Sequence, residues 1–173
     1  MDFQDDELKE ILNIFRAESE EIIERLNNTL LELEKSPTNK DLIVLLFRDA
    51  HSLKGASRMI GFSKTQNIAH KIEDILGLAK ENQLKMNSQI ADIIYKSVDL
   101  ISKIISQSIE SGKEIYLEKE VNTQINLLEE ISANSTQKEE KNEEIPTNNE
   151  FNFDYFLKTI DRINYLVIDT LLN

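Results

Sequence analysis

Residues 41–62, DLIVLLFRDAHSLKGASRMIGF, decide how the chain folds. Leu42, Leu46, Ala50, Leu53 and Ser57 recur at steps of three and four, so the stretch from about Asp41 to Met59 is expected to be an amphipathic helix with these residues on its core stripe. Gly61 is placed to close it. That phase leaves His51, one of only two histidines in 173 residues, on the far side of the helix, in water. Phe47 and Arg48 lie one turn before it, Lys54 and Gly55 one turn after, and Arg58 a further turn on. Residues 48–64 hold Arg48, Lys54, Arg58 and Lys64 against Asp49, a local charge of +3 in a chain whose net charge is -12.

The same periodicity runs outward in both directions. Leu8, Ile11, Leu12, Phe15, Ile22, Ile23, Leu26, Leu30 and Leu33 predict one long helix over residues 5–35, ended by a stretch containing Pro37. After Gly61, Ser63 stands three residues before Gln66 in the spacing of a capping box, and Ile68, Ile72, Ile75, Leu76 and Ala79 carry a third helix to about Asn82. A fourth begins at Asn87 or Ser88, both good N-caps, and carries Ile90, Ile94, Val98, Ile101, Ile105 and Ile109 to a stop at Gly112. Leu117, Val121, Ile125 and Leu128 predict a fifth, to about Ile131. Short connections between helices of this length favour antiparallel neighbours. The expected fold is therefore all-α, an antiparallel up-down four-helix bundle with an additional fifth helix, over residues 1–132. Residues 133–150, ANSTQKEEKNEEIPTNNE, have the composition of a flexible linker. Residues 151–173 return to helical spacing through Phe153, Phe156, Ile160, Ile163, Val167 and Leu171. A lone helix of that length is marginal in water, so it needs something to dock on.

Composition excludes several functions. The chain has no cysteine, which removes disulfides and thiolate metal sites and fits a cytoplasmic protein. Its acidity argues against nucleic acid, whose binders neutralise phosphates with Lys and Arg. The four glycines, Gly55, Gly61, Gly77 and Gly112, are too dispersed for a phosphate-cradling loop, so no nucleotide site of a glycine-rich kind is expected. No segment approaches the roughly 18 apolar residues of a membrane span.

What remains is the basic face around His51. Gly55 sits in mid-helix at a cost of about 1 kcal/mol relative to Ala, which suggests that something approaches the backbone there. Val44 and Phe47 put apolar surface beside Arg48 and Arg58. Together these five residues read as a partner-docking patch. A neutral imidazole has one ring nitrogen with a free lone pair, the requirement for attack on a phosphoryl group.

The run His51-Ser52-Leu53-Lys54-Gly55, followed by Gly61-Phe62, resembles the signature of histidine phosphotransfer (HPt) domains, and most of all the N-terminal phosphorylation domain of CheA-type chemotaxis histidine kinases. The resemblance covers roughly residues 5–132, with Ala56 where many relatives have a second glycine. It implies that His51 is the phospho-acceptor and that His70 and Glu73 on the third helix, beside Gln66 and Gly77, form a hydrogen-bond network with His51 and Lys54. Glu73 would then accept the proton-bearing nitrogen of His51, Lys54 would face the incoming phosphoryl oxygens, and His70 would tune the pair. It also implies an ATP-binding kinase module as donor and a response-regulator receiver domain as acceptor, with ATP and Mg2+ held by those partners and no cofactor bound by this chain. The chain would be the front end of a larger CheA-like kinase, its linker acting as a tether.

Two other classes compete. His70-x-x-Glu73 reverses the Glu-x-x-His spacing of di-iron bundles, which would make the protein a metal site. A helical adaptor that binds partners without phosphotransfer would use the same faces and no chemistry.

Overall fold

Residues 36–39 leave the chain just enough length to reverse between its first two helices. Asn39 then starts the second, its side-chain oxygen accepting from the backbone N–H of Asp41 at 3.0 Å and of Leu42 at 3.4 Å. The computed structural model describes residues 3–140, with side chains described between residues 9 and 134. Five helices follow in order: α1 Phe3–Lys35, α2 Lys40–Ile60, α3 Ser63–Lys80, α4 Ser88–Ser111 and α5 Glu118–Glu140. Of the linker expected at 133–150, residues 133–140 belong to α5, and residues 141–150 and the C-terminal helix expected at 151–173 lie outside the described residues.

α1 packs on α2 and α4, α3 packs on α2 and α4, and among the described residues the backbones of the diagonal pairs, α1 with α3 and α2 with α4, stay farther apart. Four helices so arranged form a square, and α5 lies outside it against α3 and α4. The centre is filled by Leu26 and Leu30 from α1, Leu46 and Leu53 from α2, Ile68 and Ile72 from α3, and Ile94 and Ile101 from α4, all fully buried. Each such side chain contributes about 1.5–3 kcal/mol relative to exposure, which outweighs the modest helix propensity of isoleucine in α4.

The predicted stripes hold with two local changes. Ile43, rather than Leu42, begins the buried row of α2, with Leu42 packed at its margin. Ile11 is 49% exposed, because it lies on the flank of α1 beside Leu12 and Phe15, which take the core positions. α5 also continues eight residues past the boundary expected at 132, through a segment rich in the helix formers Ala133, Gln137, Lys138, Glu139 and Glu140.

The start of α3 differs from the sequence expectation. Phe62 occupies the N-cap position and offers no side-chain oxygen; its ring is buried edge-on against Phe15, with centroids 5.3 Å apart. Ser63 is thus already inside the helix, and the expected Ser63–Gln66 capping box does not form. Glu114, from the α4–α5 connection, replaces it. Its Oε1 accepts from the backbone N–H of Lys64 at 2.8 Å and of Thr65 at 2.9 Å, and its Oε2 accepts from the Ser63 hydroxyl at 3.2 Å. A carboxylate there also meets the positive end of the helix dipole.

Candidate functional site

α2 and α3 are joined by residues 61–62 alone, which forces them to run back along each other. Gly61 makes the reversal possible: its φ of 81° lies in the left-handed region, and its N–H bonds to the Arg58 carbonyl. Positions 51 and 73 therefore face each other across the seam, each on the flank of its helix.

His51 is exposed, its side chain 64% accessible, while Glu73 across the seam is 9% accessible as a residue. The imidazole Nδ1 lies 2.8 Å from Glu73 Oε1. The Lys54 ammonium lies 2.7 Å from the other oxygen, Oε2, so one carboxylate bridges the imidazole and the amine. Burial pushes the Glu73 carboxyl up, but hydrogen bonds from Lys54 and His51, with their positive charge, outweigh it and hold the group below the ordinary carboxylate range. Glu73 is accordingly ionised near neutral pH, and an ionised carboxylate only accepts. Nδ1 must then carry the proton, and in the neutral ring the lone pair is on Nε2, facing away from the carboxylate. The structure thus brings together His51, Glu73 and Lys54, which the resemblance put in one network, with Lys54 held by Glu73.

His70 is placed differently. It is exposed, and its Nε2 lies 3.5 Å from Asp74 Oδ1, one turn along the same helix. No hydrogen bond among the described residues joins it to His51, Glu73 or Lys54. Because His70 and Glu73 engage different partners, they do not form the donor pair a metal site would need. Among the described residues no group of three or more His, Cys, Asp or Glu side chains could hold a metal ion.

Of the docking residues, Arg48, Gly55 and Arg58 are exposed, and Val44 is 37% exposed. A Cβ built on Gly55 meets no atom within 4 Å, so nothing in the chain itself requires a glycine there. Phe47 is partly buried at the α2–α3 seam: its Cε2 lies 3.5 Å from where a Cβ on Gly77 would stand, and the Lys80 ammonium sits 3.9 Å from its ring centroid. Sequence reading missed Lys80 and the 87% exposed Met59, both of which extend this face. A cleft of about 750 Å3 beside the α3–α4 connection includes Asn82, Asn87, Ile93 and Asn134; Lys85 is the one ionisable residue lining it, and none of the His51 group takes part. The imidazole of His51 stands open to solvent, outside this cleft.

These features define a class: a helical bundle that presents a carboxylate-braced histidine to solvent beside a basic surface. Comparison with known proteins agrees. The family model for the Hpt domain matches residues 10–133, and the chain belongs to that family. The sensor histidine kinase CheAY of Helicobacter pylori is 31% identical over 144 residues, covering 82% of this chain and 18% of its own length. The chain therefore spans less than a fifth of that relative. Among solved structures, the CheA phosphotransferase domain from Thermotoga maritima shares 38% identity at a TM-score of 0.56, covering 57% of this chain and 94% of that one. The phosphorylated P1 domain of CheA3 from R. sphaeroides, solved in complex with CheY6, has a TM-score of 0.69 at 22% identity, covering 73% and 98%; it shares the fold. No helix among the described residues is long and apolar enough to cross a membrane.

Proposed function

We propose that this Hpt domain accepts a phosphoryl group on Nε2 of His51 from an ATP-binding kinase module and passes it to the aspartate of a response-regulator receiver domain. The observation that carries the reading is the bridge from Lys54 through Glu73 to His51, with the imidazole left open to solvent. In the first transfer the Nε2 lone pair forms the bond to phosphorus while the bond to the ADP oxygen breaks. The ring gains positive charge, which the Glu73 carboxylate stabilises through the Nδ1 proton. Lys54, anchored on Glu73, has further N–H donors for the phosphoryl oxygens. In the second transfer the bond from Nε2 to phosphorus breaks as the aspartate oxygen attacks, and the imidazole becomes neutral again. Phosphoryl transfer of this kind asks the protein mainly for positioning and charge neutralisation, so ATP and Mg2+ belong to the partner domains.

The matched kinase is far longer than this chain, which supports its being one part of a larger CheA-like kinase. The solved CheA3–CheY6 complex supports a CheY-type receiver as acceptor. Incubation with a CheA-type kinase module and labelled ATP tests the proposal. The wild type is expected to take up acid-labile label and His51→Gln, with an unchanged helical spectrum, none. Label retained in His51→Gln would reject the site, and an unlabelled wild type that still binds partners would make the protein an adaptor.

A further inference from the structure

Phe47 stands one turn before His51 on α2, where sequence pattern alone would offer its ring to a partner. The fold places the ring at the α2–α3 seam, against Gly77 on one side and under the Lys80 ammonium on another. Gly77 and Lys80 follow Glu73 by one and two turns of α3, so this contact spans the seam next to the His51–Glu73 bond. A cation in the last turn of a helix is favoured by the dipole, which explains a lysine at 80 but not its position 3.9 Å over an aromatic ring. An exposed lysine is otherwise a mobile charge on a four-carbon stem, and a cation–π contact fixes where that charge stands.

We infer that Phe47 is the pedestal for Lys80, and that Lys80 so held is a specificity-determining cation for an acidic receiver-domain surface, completing from α3 the positive rim that Arg48 and Arg58 supply from α2. The inference rests on the phosphotransfer reading and names how that site selects its acceptor. The accepting group is a carboxylate, and the Mg2+ it uses is bound by further oxygen ligands, chiefly carboxylates, so the surface approaching His51 is acidic. Outside residues 48–64 this chain is itself strongly acidic, its net charge being -12 overall. An acidic receiver surface is repelled by the rest of this chain, so fixed cations at the rim set both encounter rate and orientation.

The test uses the full chain, phosphorylated on His51, and a CheY-type receiver domain, with transfer followed at varied receiver and salt concentrations. Lys80→Gln is expected to lower transfer at sub-saturating receiver by roughly threefold to tenfold at low salt, with the difference closing as salt screens the charge and the maximal rate unchanged. Phe47→Leu keeps the net charge but removes the ring; it is expected to lose the same salt-sensitive part, and Phe47→Tyr to retain it. Lys80→Gln equal to wild type at low salt, a loss confined to the maximal rate, or Phe47→Leu with undiminished salt dependence would each overturn the inference. A wild type that takes up no phosphoryl group rejects the phosphotransfer reading itself. A phosphorylated wild type with an indifferent Lys80→Gln rejects only the role of Lys80.

Discussion

Glu73 on α3 and Glu114 on the α4–α5 connection are buried almost equally, 9% and 8% exposed, yet they serve different ends. Glu114 is surrounded by donors with no other business: two backbone N–H groups at the start of α3 and the hydroxyls of Ser63 and Thr65. Glu73 is shared between an amine and an imidazole whose far side faces solvent. Burial of a carboxylate therefore does not mark a reactive site. What marks it is a partner that has a second, unsatisfied face.

The two residues should separate cleanly in mutants. Glu73→Gln keeps the size of the side chain but removes the charge that orients and stabilises the imidazole. Phosphorylation of His51 is expected to slow about tenfold to a hundredfold, with a fall in melting temperature smaller than that of Glu114→Ala. A rate equal to wild type would erase the distinction between the two glutamates. Glu114→Ala should do the reverse, destabilising the fold by roughly 2–3 kcal/mol through the lost cap while leaving the folded fraction to be phosphorylated normally. Calorimetry and the labelling assay on the same samples decide this; a slow but fully stable Glu114→Ala would contradict it.

Acid sharpens the contrast at Glu73. Its folded-state pKa lies below the ordinary carboxylate value, so its stabilising contribution is full above that ordinary value and is lost as pH falls through the folded one. The stability difference between wild type and Glu73→Gln is expected to be constant near neutral pH and to shrink on acidification below the usual glutamate range. Denaturant titrations at several pH values measure it, and a gap that widened with acid would reverse the assigned sign. The smallest effect belongs to Gly55. With no atom near its would-be Cβ, Gly55→Ala should gain up to about 1 kcal/mol of stability and lose part of its rate with a partner that approaches the backbone. Stability gained at no cost in transfer would show that no partner comes close there.

Most of the fold could be read from spacing, because helical period alone places Leu46, Ala50, Leu53 and Ser57 inward and His51 outward. Glu73 was legible from the resemblance, and the seam between antiparallel helices gives the physical reason: positions 51 and 73 lie opposite once residues 61–62 turn the chain. Contacts that depend on the exact separation of helices were not legible. Lys54 was expected in one network with Glu73 from the resemblance, but spacing alone did not give the 2.7 Å at which the carboxylate holds it. His70 was expected in the network and instead reaches Asp74, its neighbour one turn along. Phe47 read as free apolar surface because nothing local reveals that Gly77 and Lys80 will close on it. Glu114 left no signal, since it sits in a connection without periodicity and acts on residues about 50 positions earlier. The Ser63–Gln66 pattern pointed to a local cap in its place.

Everything assigned to His51 follows from which ring nitrogen carries the proton. Nitrogen-resolved NMR of the imidazole near neutral pH, before and after phosphorylation, measures this directly. The neutral ring is expected with its proton on Nδ1, and the phosphoryl group is expected on Nε2 with Nδ1 still bonded to Glu73. A proton on Nε2 in the free neutral ring, or phosphorus on Nδ1, would contradict the account.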